Sequence, residues 1–147
     1  MMIKVNVFSE DNNWSKKIKK KEAFFNSICK LFPKEYKFLK KKVYLSLLLS
    51  NNKEIKKLNK KFRKKNKATD ILSFPLNKEN YLGDIIISYN FMNEPKKKTQ
   101  LFKDKVIKTF IHGFLHLLGH DHIKDQDYKK MIKEEDKIYQ SVISGLN

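Results

Sequence analysis

The sequence predicts a fold of mixed strands and helices, a single sheet with the helices packed on it. Three observations predict this. Short apolar stretches with strand character recur at 3–8, 43–50, 70–74 and 84–88. Longer stretches with helical spacing lie between and after them. Strands and helices interleave along the chain, the order expected of one sheet covered by helices.

Each element has its own justification. "IKVNVF" at 3–8 alternates with period two and reads as a strand. Residues 14–31 read as one helix, with Trp14, Ile18, Phe24, Phe25 and Ile28 apolar, ending near Pro33. "VYLSLLLS" at 43–50 reads as a strand buried on one or both faces. Asn51 or Asn52 caps the next helix, in which Ile55, Leu58, Asn59 and Phe62 share a face. "DILSF" at 70–74 and "DIIIS" at 84–88 read as strands joined through "PLNKENYLG". Residues 99–118 read as a helix that is apolar nearly all round from Val106 onward, hence central and buried. Gly119 supplies the positive φ that ends it. A last helix starts near Asp125 and runs to about Ile143, with Gly145 after it and with Met131, Ile132, Glu135 and Ile138 as its inner face.

Composition narrows the classes. The length fits one domain, and 40% apolar residues with eleven Phe and six Tyr suffice for a core. The longest apolar run, "VYLSLLL", is far short of the about 20 residues that span a membrane. The N-terminus alternates and then turns polar, unlike a signal peptide. A single cysteine, Cys29, forms no internal disulfide, so a cytoplasmic protein is expected. The net charge of +17 has two readings. One is a polyanionic partner, nucleic acid first. The other is the Lys- and Asn-rich, Gly-poor composition of an AT-rich genome. One detail resists the second. Among 33 basic residues Arg63 is the single arginine. Its planar fork can grip phosphate with two hydrogen bonds, where lysine is a point charge. The competing view is chance survival of one arginine.

All four histidines, His112, His116, His120 and His122, fall within "HGFLHLLGHDH" at 112–122. On a helix, His112 and His116 stand on one face with Cβ atoms about 5–6 Å apart. The chain can fold back at Gly119 and bring His122 round as a third nitrogen. Three imidazoles and an open position make a catalytic zinc site, although spacing alone does not fix the ion. The alternatives are a hydrogen-bonded core pair or a loose His-rich scavenger. A helix that tolerates so little else that is polar favours the metal site. His120, beside the turn, is expected to be a non-ligand. Metzincin peptidases share this spacing but carry Glu after the first His, as general base. Here that position is Gly113, and loss of such a base costs a factor of about 10² to 10⁴.

"HGFLHLLGHDH", together with "LNKKFRKKNKATDILSFP" at 58–75 and "LGDIIIS" at 82–88, resembles the signatures of the YbeY family, in the right order and over most of the chain. The family's commonest motif has Tyr where this chain has His120. The resemblance implies an α+β fold: a four-stranded mixed sheet with about five or six helices. The metal site would lie on a central buried helix and the turn after it, with residues 1–147 as a single metal-dependent hydrolase domain. It implies a single-strand-directed, metal-dependent endoribonuclease with one Zn2+ per chain. That enzyme would act in maturation of the 3′ end of small-subunit (16S) ribosomal RNA and in ribosome quality control. Ribosomal RNA and the small subunit would be its partners, with no membrane and no DNA. By motif position His112, His116 and His122 are the metal ligands, and Arg63 falls on the family's cleft arginine. Asp70, Ser73, Phe74 and Asp84 are expected to hold strands beside the site.

The expected chemistry is hydrolysis of an RNA phosphodiester, with Arg63 on the phosphate. Asp121 is a candidate base, or else a partner that orients an imidazole. Two other classes remain open. A metallohydrolase of another substrate is disfavoured, for peptides, by Gly113. A non-catalytic zinc-containing assembly factor is disfavoured by three protein ligands instead of four.

Overall fold

The computed structural model describes residues 3–38, 41–121 and 124–146. Four strands form one sheet: β1 (Ile3–Ser9), β2 (Val43–Ser50), β3 (Ile71–Lys78) and β4 (Tyr81–Ser88). The order is β1-β2-β4-β3. β1 and β4 flank β2 in parallel, and β3 pairs antiparallel with β4, so the sheet is mixed. Among the described residues there are six α-helices: α1 (Trp14–Lys17), α2 (Lys21–Lys30), α3 (Asn52–Arg63), α4 (Tyr89–Met92), α5 (Thr99–Leu117) and α6 (Asp125–Leu146). The fold is α+β, as expected.

The strand alternation sorts the core into two layers. Leu45, Leu47, Leu49, Ile85 and Ile87 join Val106, Phe110, Phe114 and Leu117 of α5 in the main core. Leu72 and Ile86 point the other way and meet Ile55 of α3. The sheet therefore lies between α3 and the α5 side. α5 is buried at nine of its positions, which accounts for its all-round apolar sequence.

Several boundaries and two inner faces differ from the sequence reading. The helix expected over 14–31 is interrupted, with Ile18 extended at φ −128°, ψ 108°. The break lets Trp14 reach Tyr89 and Phe102 while Phe25 packs on Phe110. Trp14 also donates from Nε1 to the Ser50 carbonyl at 2.9 Å. β3 runs through Pro75 to Lys78. It is an edge strand, where a missing N–H breaks no inner ladder. α6 continues past Ile143 to Leu146, with Gly145 packed closely against Leu31. On the inner faces, Ile132 and Phe62 are exposed, at 45% and 57%, while Met131, Ile138, Ile55 and Asn59 are buried.

Candidate metal centre and cleft

The sequence builds the centre from the end of α5 outward. Gly119 takes φ +96°, a conformation that suits a residue without Cβ. The N–H of Gly119 then donates to the His116 carbonyl at 3.0 Å, and the N–H of His120 to the Leu115 carbonyl at 3.0 Å. This is the paired bond pattern of a Schellman stop. It folds the chain back so that the His120 carbonyl meets His116 Nδ1 at 2.9 Å. His120 thus takes part through its backbone.

From α6, Glu135 reaches Nδ1 of His112 with its carboxylate. Both Nδ1 atoms face oxygens. A carbonyl oxygen only accepts, so Nδ1 of His116 carries the proton, and an ionised Glu135 imposes the same tautomer on His112. The two Nε2 atoms then turn their lone pairs toward each other, 3.1 Å apart. Two such lone pairs repel unless a cation or a shared proton lies between them. For comparison, two imidazole nitrogens on one tetrahedral zinc stand about 3.3 Å apart, given bonds of about 2.0–2.1 Å. The donor set therefore fits a divalent ion, with Glu135 and the His120 carbonyl as the outer partners that fix ligand orientation. Among the described residues no group of three His, Cys, Asp or Glu side chains converges. His122, the expected third ligand, lies outside the described residues.

Gly113 explains why the position after His112 carries no carboxylate. A Cβ there would stand 2.5 Å from Ile71 Cδ1 and 3.1 Å from Ser73 Oγ. α5 lies close to β3 and β4 here, and a longer side chain would have to displace Ile71 Cδ1 and press on Ser73 Oγ and Ile85 Cγ2. The same approach allows Ser73 Oγ to donate to the Gly113 carbonyl at 3.2 Å.

Arg63 comes from the opposite face of the sheet. It is the last residue of α3, which stops where Lys64 adopts φ +57°. From there its Nη2 donates to the Ser73 carbonyl on β3 at 2.8 Å. Its guanidinium lies over Phe74, 5.4 Å from the ring centroid. Arg63, His112, His116, His120 and Asp121 line one cleft of about 680 Å³, whose wall includes Asp70 and Ser73. Asp121 is exposed on its rim. The cleft's basic loop is held by the buried Asn59, whose amide donates to the Lys67 carbonyl at 2.9 Å and whose own carbonyl accepts from Lys65 N–H at 3.2 Å.

The other motif residues serve as local structure. Asp70 accepts from the Ile71 N–H at 2.8 Å and starts β3. Phe74 supports Arg63. Asp84 is turned away from the cleft and accepts from the Tyr81 hydroxyl. Sequence reasoning missed Glu135 as a partner of the site. Its one signal was a carboxylate on an inner stripe otherwise made of Met131, Ile138 and Val142.

The profile of the family described as "Endoribonuclease YbeY" matches residues 7–143. The "Endoribonuclease YbeY" of Pelagibacter ubique is 66% identical over 148 residues, covering 96% of this chain and 97% of that protein. The protein of the same name from Ehrlichia canis is 36% identical over 141 residues, covering 93% and 90%. Among solved structures, the solution structure of TM1509 from Thermotoga maritima superposes with a TM-score of 0.62 at 28% identity, covering 99% of this chain and 91% of that one.

Proposed function

Since the chain belongs to the YbeY family of endoribonucleases, we propose that it hydrolyses RNA phosphodiesters in the cleft between Arg63 and the histidine pair, and that it does so with one divalent ion, zinc first. The observation that carries this reading is the meeting of His112 Nε2 and His116 Nε2 at 3.1 Å, with both Nδ1 atoms engaged by oxygens. His112, His116 and His122 would hold the ion. When bound, it would supply a Lewis acid for the phosphoryl group and make water more acidic.

The remaining steps belong to side chains. One nitrogen of Arg63 is tied to the Ser73 carbonyl, so the guanidinium is held in place and presents its other N–H groups to a phosphate oxygen. Charge that builds on the phosphoryl oxygens in the transition state is stabilised there. Asp121, on the rim, takes a proton from the attacking water or orients an imidazole. Lys65 and Lys67, on the same wall, attract the polyanion without reading its sequence. The substrate is single-stranded ribosomal RNA, and the role is maturation of the 3′ end of the small-subunit RNA and quality control of ribosomes in the cytoplasm. Gly113 speaks against a peptidase, for want of a base at that position.

The test is incubation of metal-loaded and chelated protein with small subunits carrying unprocessed RNA, followed by mapping of the ends. New ends near the 3′ terminus with loaded protein alone are expected. Cleavage spread evenly along the RNA would contradict the maturation role, and cleavage by chelated protein would contradict the metal.

A further inference from the structure

The positive charge of the chain is not spread evenly. Residues 53–67 hold nine basic side chains against one acidic, Glu54, which is +8 of the chain's +17. α6 has five acidic side chains against four lysines. Residues 16–42 carry a similar net charge, with eleven lysines against Glu22 and Glu35, so it is the ordering of the charge along α3 that sets this helix apart.

Within α3 the charge is also ordered. Lys53, Lys56, Lys60 and Arg63 are three or four residues apart and form one ridge about 15 Å long. All four are exposed. Among the described residues no carboxylate pairs with Lys53, Lys56 or Lys60, and Glu54 is engaged by Lys57 at 3.4 Å. Beside the ridge runs an open groove of about 490 Å³, lined by Lys53, Lys56, Lys57 and Lys60 on one side and by Asn66 and Ala68 on the other. No carboxylate lines it. The loop that bounds this groove is the loop whose Lys65, Lys67 and Thr69 line the histidine cleft. Groove and cleft therefore share a wall, and the ridge ends at Arg63, inside the cleft.

We propose that the α3 ridge and its groove are a track for the sugar–phosphate backbone of single-stranded RNA, continuous with the strand whose phosphate is gripped by Arg63. The inference rests on the proposed nuclease reading and adds the path of the substrate. Exposed lysines opposite an all-neutral wall suit a polyanion that is held by charge and not read by its bases. A flexible single strand can follow a groove at the edge of a cleft.

The test is binding of a fluorescent single-stranded RNA, read by anisotropy across a salt series, so it does not depend on cleavage. The triple variant K53Q/K56Q/K60Q is compared with K16Q/K19Q/K20Q, which removes the same charge from exposed lysines near α1 and α2. The track variant is expected to bind roughly 10-fold more weakly at moderate salt. Its slope of log affinity against log salt should fall by about 2, since single strands give about 0.7 per phosphate. The control should keep most of both. Equal losses in the two variants would mean that net charge alone is read, and would overturn the track. Equal weakening toward a duplex of the same sequence would assign the ridge to helical RNA and overturn the strand. If the wild type binds as expected yet cleaves nothing, the nuclease reading fails while the track survives.

Discussion

Glu135 on α6 accepts the Nδ1 hydrogen bond of His112 on α5, so the last helix of the fold sets the tautomer of a candidate ligand. The pair is partly buried, with side-chain exposures of 29% and 32%. Removal of an outer partner of this kind typically weakens metal binding by about 10- to 100-fold. Glu135→Ala is expected to lose zinc to a competing chelator over that range, while circular dichroism stays native. Glu135→Gln, which keeps an acceptor oxygen, should lose less. If Ala and wild type release zinc at the same chelator concentration, Glu135 does not act on the site.

Arg63 is more than one positive charge among many. It is bonded to the Ser73 carbonyl and stacked on Phe74. Lysine at this position keeps the charge and loses the fork and the stack. Arg63→Lys should scarcely change RNA affinity. Single-turnover cleavage should slow by roughly 10- to 100-fold, about 1.4 to 2.7 kcal/mol of transition-state stabilisation. Equal rates at matched metal content would remove Arg63 from the mechanism.

Gly113 makes a stability prediction. Alanine would gain up to about 1 kcal/mol in helix preference. Against that, its Cβ would press on Ile71 Cδ1 and Ser73 Oγ, an overpacking that costs about 1–3 kcal/mol. Ile71 Cδ1 is the free end of a side chain and can turn away, but Ser73 Oγ and Ile85 Cγ2, at 3.1 and 3.3 Å, stand on the sheet and have less room to give, so Gly113→Ala should unfold at slightly lower urea, by roughly 0–2 kcal/mol at unchanged slope. A higher midpoint would mean that α5 stands further from the sheet.

What was legible in the sequence was what short-range chemistry decides. The Gly119 stop, the Asn51 cap that accepts from Glu54 N–H at 2.9 Å, and the all-round apolar α5 needed no knowledge of the rest of the chain. The pairing of His112 with His116 is likewise a matter of helical spacing. Pro75 was misleading because edge position is a property of the sheet and not of the dipeptide. Phe62 and Ile132 fit a helical face by period, yet lie beyond what the neighbouring layer covers. Glu135 follows His116 by nineteen residues on another helix, and only the packing of α5 on α6 brings it to His112. Asp84 stands in a motif that matches the family but faces the side of the sheet away from the cleft, toward Phe8, Leu48 and Phe62.

If a metal held by the histidines of 112–122 drives the proposed ribonuclease reaction, zinc content and cleavage must rise together. The most direct measurement is zinc per chain and RNA cleavage rate in the same purified samples, after chelation and stepwise return of zinc, for the wild type, His120→Ala and His122→Ala. One zinc per chain is expected in the wild type, with cleavage rising in proportion to occupancy. His120→Ala should behave likewise, because its contact to His116 is made by a backbone carbonyl. His122→Ala should lose most of the metal and most of the activity. Full-rate cleavage at near-zero zinc, eluting with the protein on a sizing column, would contradict the account.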